Sequence, residues 1–131
     1  MKIKTQDLTG HALDWAVAKA ENLDVYLDDG IVCLKGQPFD DVSPYWLPTK
    51  NWAQGGPIIE REGLCVQPYC SLYEYKPILE WESFVMARCF ENEHPRGIGP
   101  TPLIAAMRCF VASRLGDEVD VPDELVEAAY A

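Results

Sequence analysis

Residues 97–116, Gly-Ile-Gly-Pro-Thr-Pro-Leu-Ile-Ala-Ala-Met-Arg-Cys-Phe-Val-Ala-Ser-Arg-Leu-Gly, constrain the fold more than any other stretch, because they spell a helix with both ends marked. Thr101 is placed to cap the start, its hydroxyl accepting a backbone N–H of the first turn. Pro102 follows at the first helical position, where a missing N–H does no harm. Gly116 is placed to take the left-handed conformation that stops a helix, and Arg114 adds positive charge to the last turn. Leu103, Ile104, Met107, Phe110, Val111 and Leu115 recur at helical spacing and predict one apolar stripe. Such a stripe must be covered, and a sheet is the expected cover.

The remaining chain supplies helices and short strands. Thr5 leads a short capped turn over 5–8, and a helix follows over 10–22. Leu13, Ala16, Val17 and Ala20 form its buried stripe, while Trp15 points away from it, toward a second packing contact or a partner. Residues 23–28 alternate weakly, Asp28-Asp29-Gly30 reads as a turn, and Ile31–Leu34 reads as a strand. Residues 36–51 form a long irregular stretch with Phe39, Tyr45 and Trp46, of the kind that is usually functional or mobile. Residues 52–62 read as a loop entering a short helix at Pro57 and stopping at Gly63. Leu64–Val66 starts a strand that ends near Pro68, and Ser71–Lys76 is a connection or edge strand. Trp81–Phe90 is a strand candidate, with a helix open by pattern, and Glu91–Pro100 a turn-rich approach. Val119 and Val121 make a short extended contact before a last helical turn from Pro122. The expected fold is α+β: a single-domain layered sandwich, an antiparallel or mixed sheet packed by an N-terminal helix and a long C-terminal helix. Residues 1–116 form that domain, and 117–131 are an acidic extension packed on it or trailing from it.

At 131 residues the chain holds one core. Its 11 basic and 21 acidic residues give a formal charge of −10, which argues against binding a nucleic-acid backbone or an anionic membrane. The start, Met-Lys-Ile-Lys-Thr-Gln-Asp, lacks the apolar segment of a signal peptide, and no apolar run reaches spanning length. Five cysteines (Cys33, Cys65, Cys70, Cys89 and Cys109) without paired spacing fit reduced thiols in a cytoplasm.

Three blocks resemble a known family. Ala12-Leu13-Asp14-Trp15-Ala16-Val17-Ala18, Asn51-Trp52-Ala53-Gln54-Gly55-Gly56-Pro57-Ile58-Ile59-Glu60 and Gly99 through Arg114 resemble, in order, the NinX family of small proteins from tailed phages and prophages of enterobacteria. The resemblance implies a phage accessory protein acting in the host cytoplasm. It carries no established activity and no catalytic residues to transfer.

Two stretches suggest a ligand. Arg96-Gly97-Ile98-Gly99-Pro100-Thr101 leads into a helix N-terminus and could hold an anion, although two prolines remove donors and Thr101 can simply cap its own helix. It is neither a Rossmann fingerprint nor a Walker loop. Trp52-Ala53-Gln54-Gly55-Gly56 offers a stacking ring, an amide and cleared space, and equally fits a tight turn. Trp15, Trp46, Trp52, Gln54, Gly55, Gly56, Arg96, Gly99, Thr101 and Arg108, with Tyr45, could line one nucleotide-sized pocket. Arg108 is as well placed to pair with an acid such as Asp14 or Glu60. His11 and His94 show no catalytic pattern, and a zinc site from Cys65, Cys70 and a histidine lacks standard spacing. Asp28/Asp29 and Asp40/Asp41 read as turns as readily as cation sites.

Two readings follow. The first is a non-catalytic homo-oligomeric binding module that sequesters a small anionic or nucleotide-like ligand, a possible counter-defence role. The second is an acidic interaction factor that binds and inhibits a basic host or phage protein through the 117–131 tail and Trp15. No cofactor or metal is expected in either.

Overall fold

The computed structural model describes residues 1–36, 44–69 and 80–130, excepting the side chains of 127–130. Its strands are β1 (Lys2–Lys4), β2 (Val25–Asp28), β3 (Ile31–Leu34), β4 (Leu64–Pro68), β5 (Trp81–Val85), β6 (Arg96–Gly99) and β7 (Glu118–Asp120). Its helices are α1 (Gly10–Ala20), α2 (Trp52–Glu62), α3 (Pro102–Leu115) and α4 (Asp123–Tyr130). The architecture is α+β. The strands are divided among three small antiparallel sheets, ordered β1-β7, β2-β3 and β4-β5-β6.

Helix α3 is the hub, meeting β4, β5 and β6, α1 and α2. Thr101 caps it, accepting from Ile104 N at 3.2 Å, and Pro102 stands at its start. The single stripe needs correction: Leu103, Met107, Phe110 and Val111 are buried, but so are Ala105, Ala106 and Cys109, while Leu115 is 39% exposed. The small residues are covered because β6 lies against them. A Cβ added at Gly97 would stand 2.0 Å from Ala105 O and 2.5 Å from Cys109 N. The residues read as an approach, Glu91–Pro100, therefore contain a strand whose glycines admit the helix backbone. Gln6 closes the outer edge of β6, donating from Nε2 to Arg96 O (2.7 Å) and accepting from Ile98 N (3.2 Å). A side-chain amide thus stands where another strand would pair.

Gly116 departs from the expected left-handed stop: its φ is 88° and its ψ is −162°. Its carbonyl accepts the Thr5 hydroxyl at 2.6 Å, so Thr5 ties the helix end instead of capping its own turn. In α1, Leu13, Ala16, Val17 and Ala20 are buried as expected. Asp28-Asp29-Gly30-Ile31 closes a two-residue hairpin, with Asp29 at φ 52° and Gly30 at φ 78°. Helix α2 begins at Trp52, not Pro57, because Asn51 caps it by accepting from Ala53 N at 2.9 Å; Pro57 lies inside the helix. Gly63 stops it in the left-handed region. Strand β5 ends at Val85, and Met86–Arg88 turns as a 3-10 helix, so only the first half of the Trp81–Phe90 candidate is extended.

Past α3, β7 pairs with β1, and Val119, Val121 and Leu125 enter the core. Phe39, Asp40, Asp41, Cys70 and the Ser71–Lys76 connection lie outside the described residues. No described helix is long and apolar enough to cross a membrane.

Candidate functional site

The residues expected to share one pocket are distributed over several parts of the fold. Trp46 is buried in the core, whereas Trp52 stands 57% exposed on the first turn of α2. Gln54 has both polar ends engaged: Oε1 accepts from Leu47 N at 2.7 Å and Nε2 donates to Tyr45 O at 2.9 Å. It staples the incoming segment to α2. Gly55 is a close approach, where a Cβ would meet Pro48 O at 2.6 Å and Leu103 Cδ2 at 2.7 Å, while Gly56 has open space. The cleared volume at Gly55 is therefore filled by the chain itself.

The glycine-led start of α3 is packed in the same way. A Cβ at Gly99 would meet Ile104 Cγ2 at 2.7 Å, and Thr101 serves as the cap. Arg108 joins neither Asp14 nor Glu60; it donates from Nε to Leu8 O (2.9 Å) and from Nη1 to Ile98 O (2.6 Å). Burial lowers its pKa from the usual arginine value, against the pull of Asp7 and Glu80. Two backbone carbonyls satisfy the desolvated guanidinium and leave it structural. Trp15 packs half-buried against the core, with Lys19 Nζ 5.3 Å from its ring centre.

A polar cluster absent from the sequence reading lies under this region. Asp14 is fully buried on α1, and its Oδ1 accepts from Thr49 N at 3.0 Å. Its Oδ2 faces His11 Nδ1 at 3.8 Å, beyond hydrogen-bond range. His11 Nδ1, Asp14 Oδ2, Trp46 Nε1 and Thr49 Oγ1 are all buried without a hydrogen-bond partner. Burial raises the Asp14 pKa from 3.8 to about 6, opposed by Thr49 and the charge of Lys50. Burial also lowers that of His11, with Lys50 adding to the effect. The available signal was an acid beside the apolar face of α1, one residue from Leu13 and three from Val17.

Open space lies elsewhere. A groove of about 680 Å³ runs between β6, the turn before it and the C-terminal half of α3. Arg88, His94 and Arg96 bring cationic or titratable groups to it, Gln6 and Ser113 neutral ones, Glu93 and Asp117 carboxylates. A smaller cavity of about 170 Å³ shares Arg88 and Ser113 with it and adds Glu62 and Arg114. Three of the chain's five arginines therefore line these two spaces.

Each guanidinium is held by an exposed or partly exposed carboxylate. Arg88 reaches Glu91 at 3.0 Å, Arg96 reaches Glu82 at 3.1 Å, and Arg114 pairs with Glu62. Arg114 also lies over the Phe110 ring, 5.6 Å from its centre. His94 is positioned by Glu91 O at 3.0 Å from Nδ1 and by Phe84, whose ring it meets edge-on at 6.2 Å. Cys109, beneath, donates its thiol to Pro95 O at 3.7 Å, and burial raises its pKa to about 11, so it is an inert thiol. Of the expected site residues only Arg96 lies in the groove. Arg88, His94 and Ser113 were missed because their approach depends on β6 crossing α3.

Among the described residues, no group of three or more His, Cys, Asp or Glu is arranged to hold a metal ion. A search of curated proteins returns no match. The family model described as Bacteriophage P22, NinX matches residues 4–114. The chain belongs to the NinX family. The match runs from the end of β1 through α3 and so includes every residue of the groove except Asp117. For a NinX-family chain this places the protein among phage proteins of accessory type, and β7 and α4 lie beyond the matched region.

Proposed function

We propose that this NinX-family protein is a non-catalytic binding module for a small anionic, nucleotide-like metabolite, held in the groove of Arg88, His94, Arg96 and Ser113. One observation carries the reading: in a chain of formal charge −10, three of five arginines line two adjoining cavities. The ion pairs there do not block an anion. An exposed pair such as Arg88–Glu91 is worth about 0.2–1 kcal/mol, and a guanidinium has further N–H donors beyond those its carboxylate uses. A phosphate can therefore displace Glu91 from Arg88, while Arg96 keeps the largely buried Glu82 and offers its remaining N–H donors. Glu93 and Asp117 add acceptors suited to sugar hydroxyls or amino groups, which favours a phosphorylated metabolite over a bare inorganic anion. Sequestering such a compound inside an infected host, as an anti-defence measure, needs no catalytic group.

The acidic-partner reading has less support. In the β1–β7 ribbon Lys2 stands opposite Asp120 and Lys4 opposite Glu118, and the Met1 ammonium reaches Asp120 at 2.9 Å. Much of the tail's charge already faces cations of the same chain.

The test is a thermal-shift panel of phosphate and mono-, di- and cyclic nucleotides, followed by calorimetry. A ligand at about 100 times its Kd adds roughly 2.7 kcal/mol of stability. Binding is expected to survive Trp52→Ala and to be lost in Arg88→Gln/Arg96→Gln. No stabilisation across the panel, or binding untouched by the arginine changes, defeats the proposal.

A further inference from the structure

Resting on that reading of the groove, we infer that the ligand carries two phosphoryl groups at separate positions, one in each cavity. The two spaces are distinct neighbours, sharing only Arg88 and Ser113 among the residues that line them. Arg96, on β6, serves the larger space alone, and Arg114, on the last turn of α3, serves the smaller alone. Each space therefore has a guanidinium of its own, and Arg88 lines both. A single phosphoryl group uses one end. A second group attached directly to the first stays at that end, whereas one across a sugar can reach past Ser113, which lines both spaces.

Arg114 is suited to the second role. It is half-exposed, and its planar group rests over Phe110. Its carboxylate partner, Glu62, is shared with Arg61, which also pairs with Glu21. Glu62 therefore keeps a cation when Arg114 turns to a ligand.

The experiment is calorimetry on the full chain with AMP, ADP and adenosine 3′,5′-bisphosphate, on wild type, Arg96→Gln and Arg114→Gln. The bisphosphate is expected to bind about tenfold or more tighter than AMP, which is 1.4 kcal/mol, with ADP close to AMP. Arg114→Gln should erase that advantage and leave AMP affinity unchanged, whereas Arg96→Gln should weaken all three. Should Arg114→Gln fail to fold, Ser113→Asp, which sets a carboxylate at a residue lining both spaces, should remove the same advantage. Equal affinity for AMP and bisphosphate, ADP matching the bisphosphate, or an advantage that survives these changes overturns this inference alone. Absence of binding by all three nucleotides overturns the reading beneath it as well.

Discussion

Gly97→Ala tests the contact on which the groove and the hub both depend. Gly97 lies outside the left-handed region, so an alanine meets no backbone strain there, and any penalty is steric. The added carbon would stand 2.0 Å from Ala105 O and 2.5 Å from Cys109 N, against an ordinary contact of 3.4–4 Å. Both obstructing atoms are helix backbone, so no rotamer change relieves them. Strand β6 must withdraw from α3 by more than an ångström, carrying the Ile98 carbonyl away from Arg108 and disturbing the Ser83↔Gly97 pairing. Overpacking typically costs 1–3 kcal/mol, and backbone on the obstructing side places this case at about 3 kcal/mol or above. Gly56→Ala is the matched control. Gly56 lies within α2, has nothing within 4 Å, and should gain about 0.5–1 kcal/mol on exchange for alanine. The two exchanges add the same atoms and should differ by about 4 kcal/mol, a large share of the roughly 5–15 kcal/mol of a typical domain. Urea denaturation with linear extrapolation measures both. A Gly97→Ala protein within 1 kcal/mol of wild type, with an unchanged m-value, would show that the strand–helix contact is looser than described.

Two further outcomes are expected. Because burial raises the Asp14 pKa from 3.8 to about 6, the folded state holds its proton more tightly than the unfolded state. The resulting stability is fully present below about pH 3.8 and is lost as pH rises to about 6; two pKa units set its scale at about 3 kcal/mol. Asp14→Asn keeps an acceptor for Thr49 N and cannot titrate, so wild type should fall relative to it between pH 4 and 6. His11, which loses stability as it protonates, acts in the opposite sense, so the difference between the two proteins is the readout, and parallel profiles would refute the assignment. Arg108→Met leaves the carbonyls of Leu8 and Ile98 without their donor and should cost about 2 kcal/mol or more. A loss below 0.5 kcal/mol would mean that water replaces the guanidinium.

Local chemistry made much of the fold legible. The cap and proline at Thr101-Pro102, the apolar spacing of α1, the Asp-Gly hairpin and the stop at Gly63 each depend on neighbours in sequence. Strand β6 was not legible, because two of its four residues are glycines and glycine reads as a turn. Its reason for being glycine lies across space, on Ala105 and Cys109. Pro57 misled in the opposite direction: proline suits a helix start, but Asn51 had already capped α2 six residues earlier. Leu115 fits the helical spacing yet stands beyond the end of the covering sheet, a length that the stripe alone does not encode.

Total charge is silent on the placement of charges for a related reason. A sum of −10 records how many carboxylates there are, not where they stand. The strand pairing brings Lys2 and Lys4 onto the acidic tail, and the crossing of β6 over α3 gathers Arg88, Arg96 and Arg114 around two neighbouring cavities. Both arrangements join residues far apart in the chain, so the acidic segment is partly neutralised while arginines and carboxylates come together around the two cavities. The same glycine contact that makes β6 possible therefore fixes the position of Arg96. A protein in which Gly97 can no longer touch α3 should lose stability and, under the proposed function, any anion affinity that Arg96 supplies.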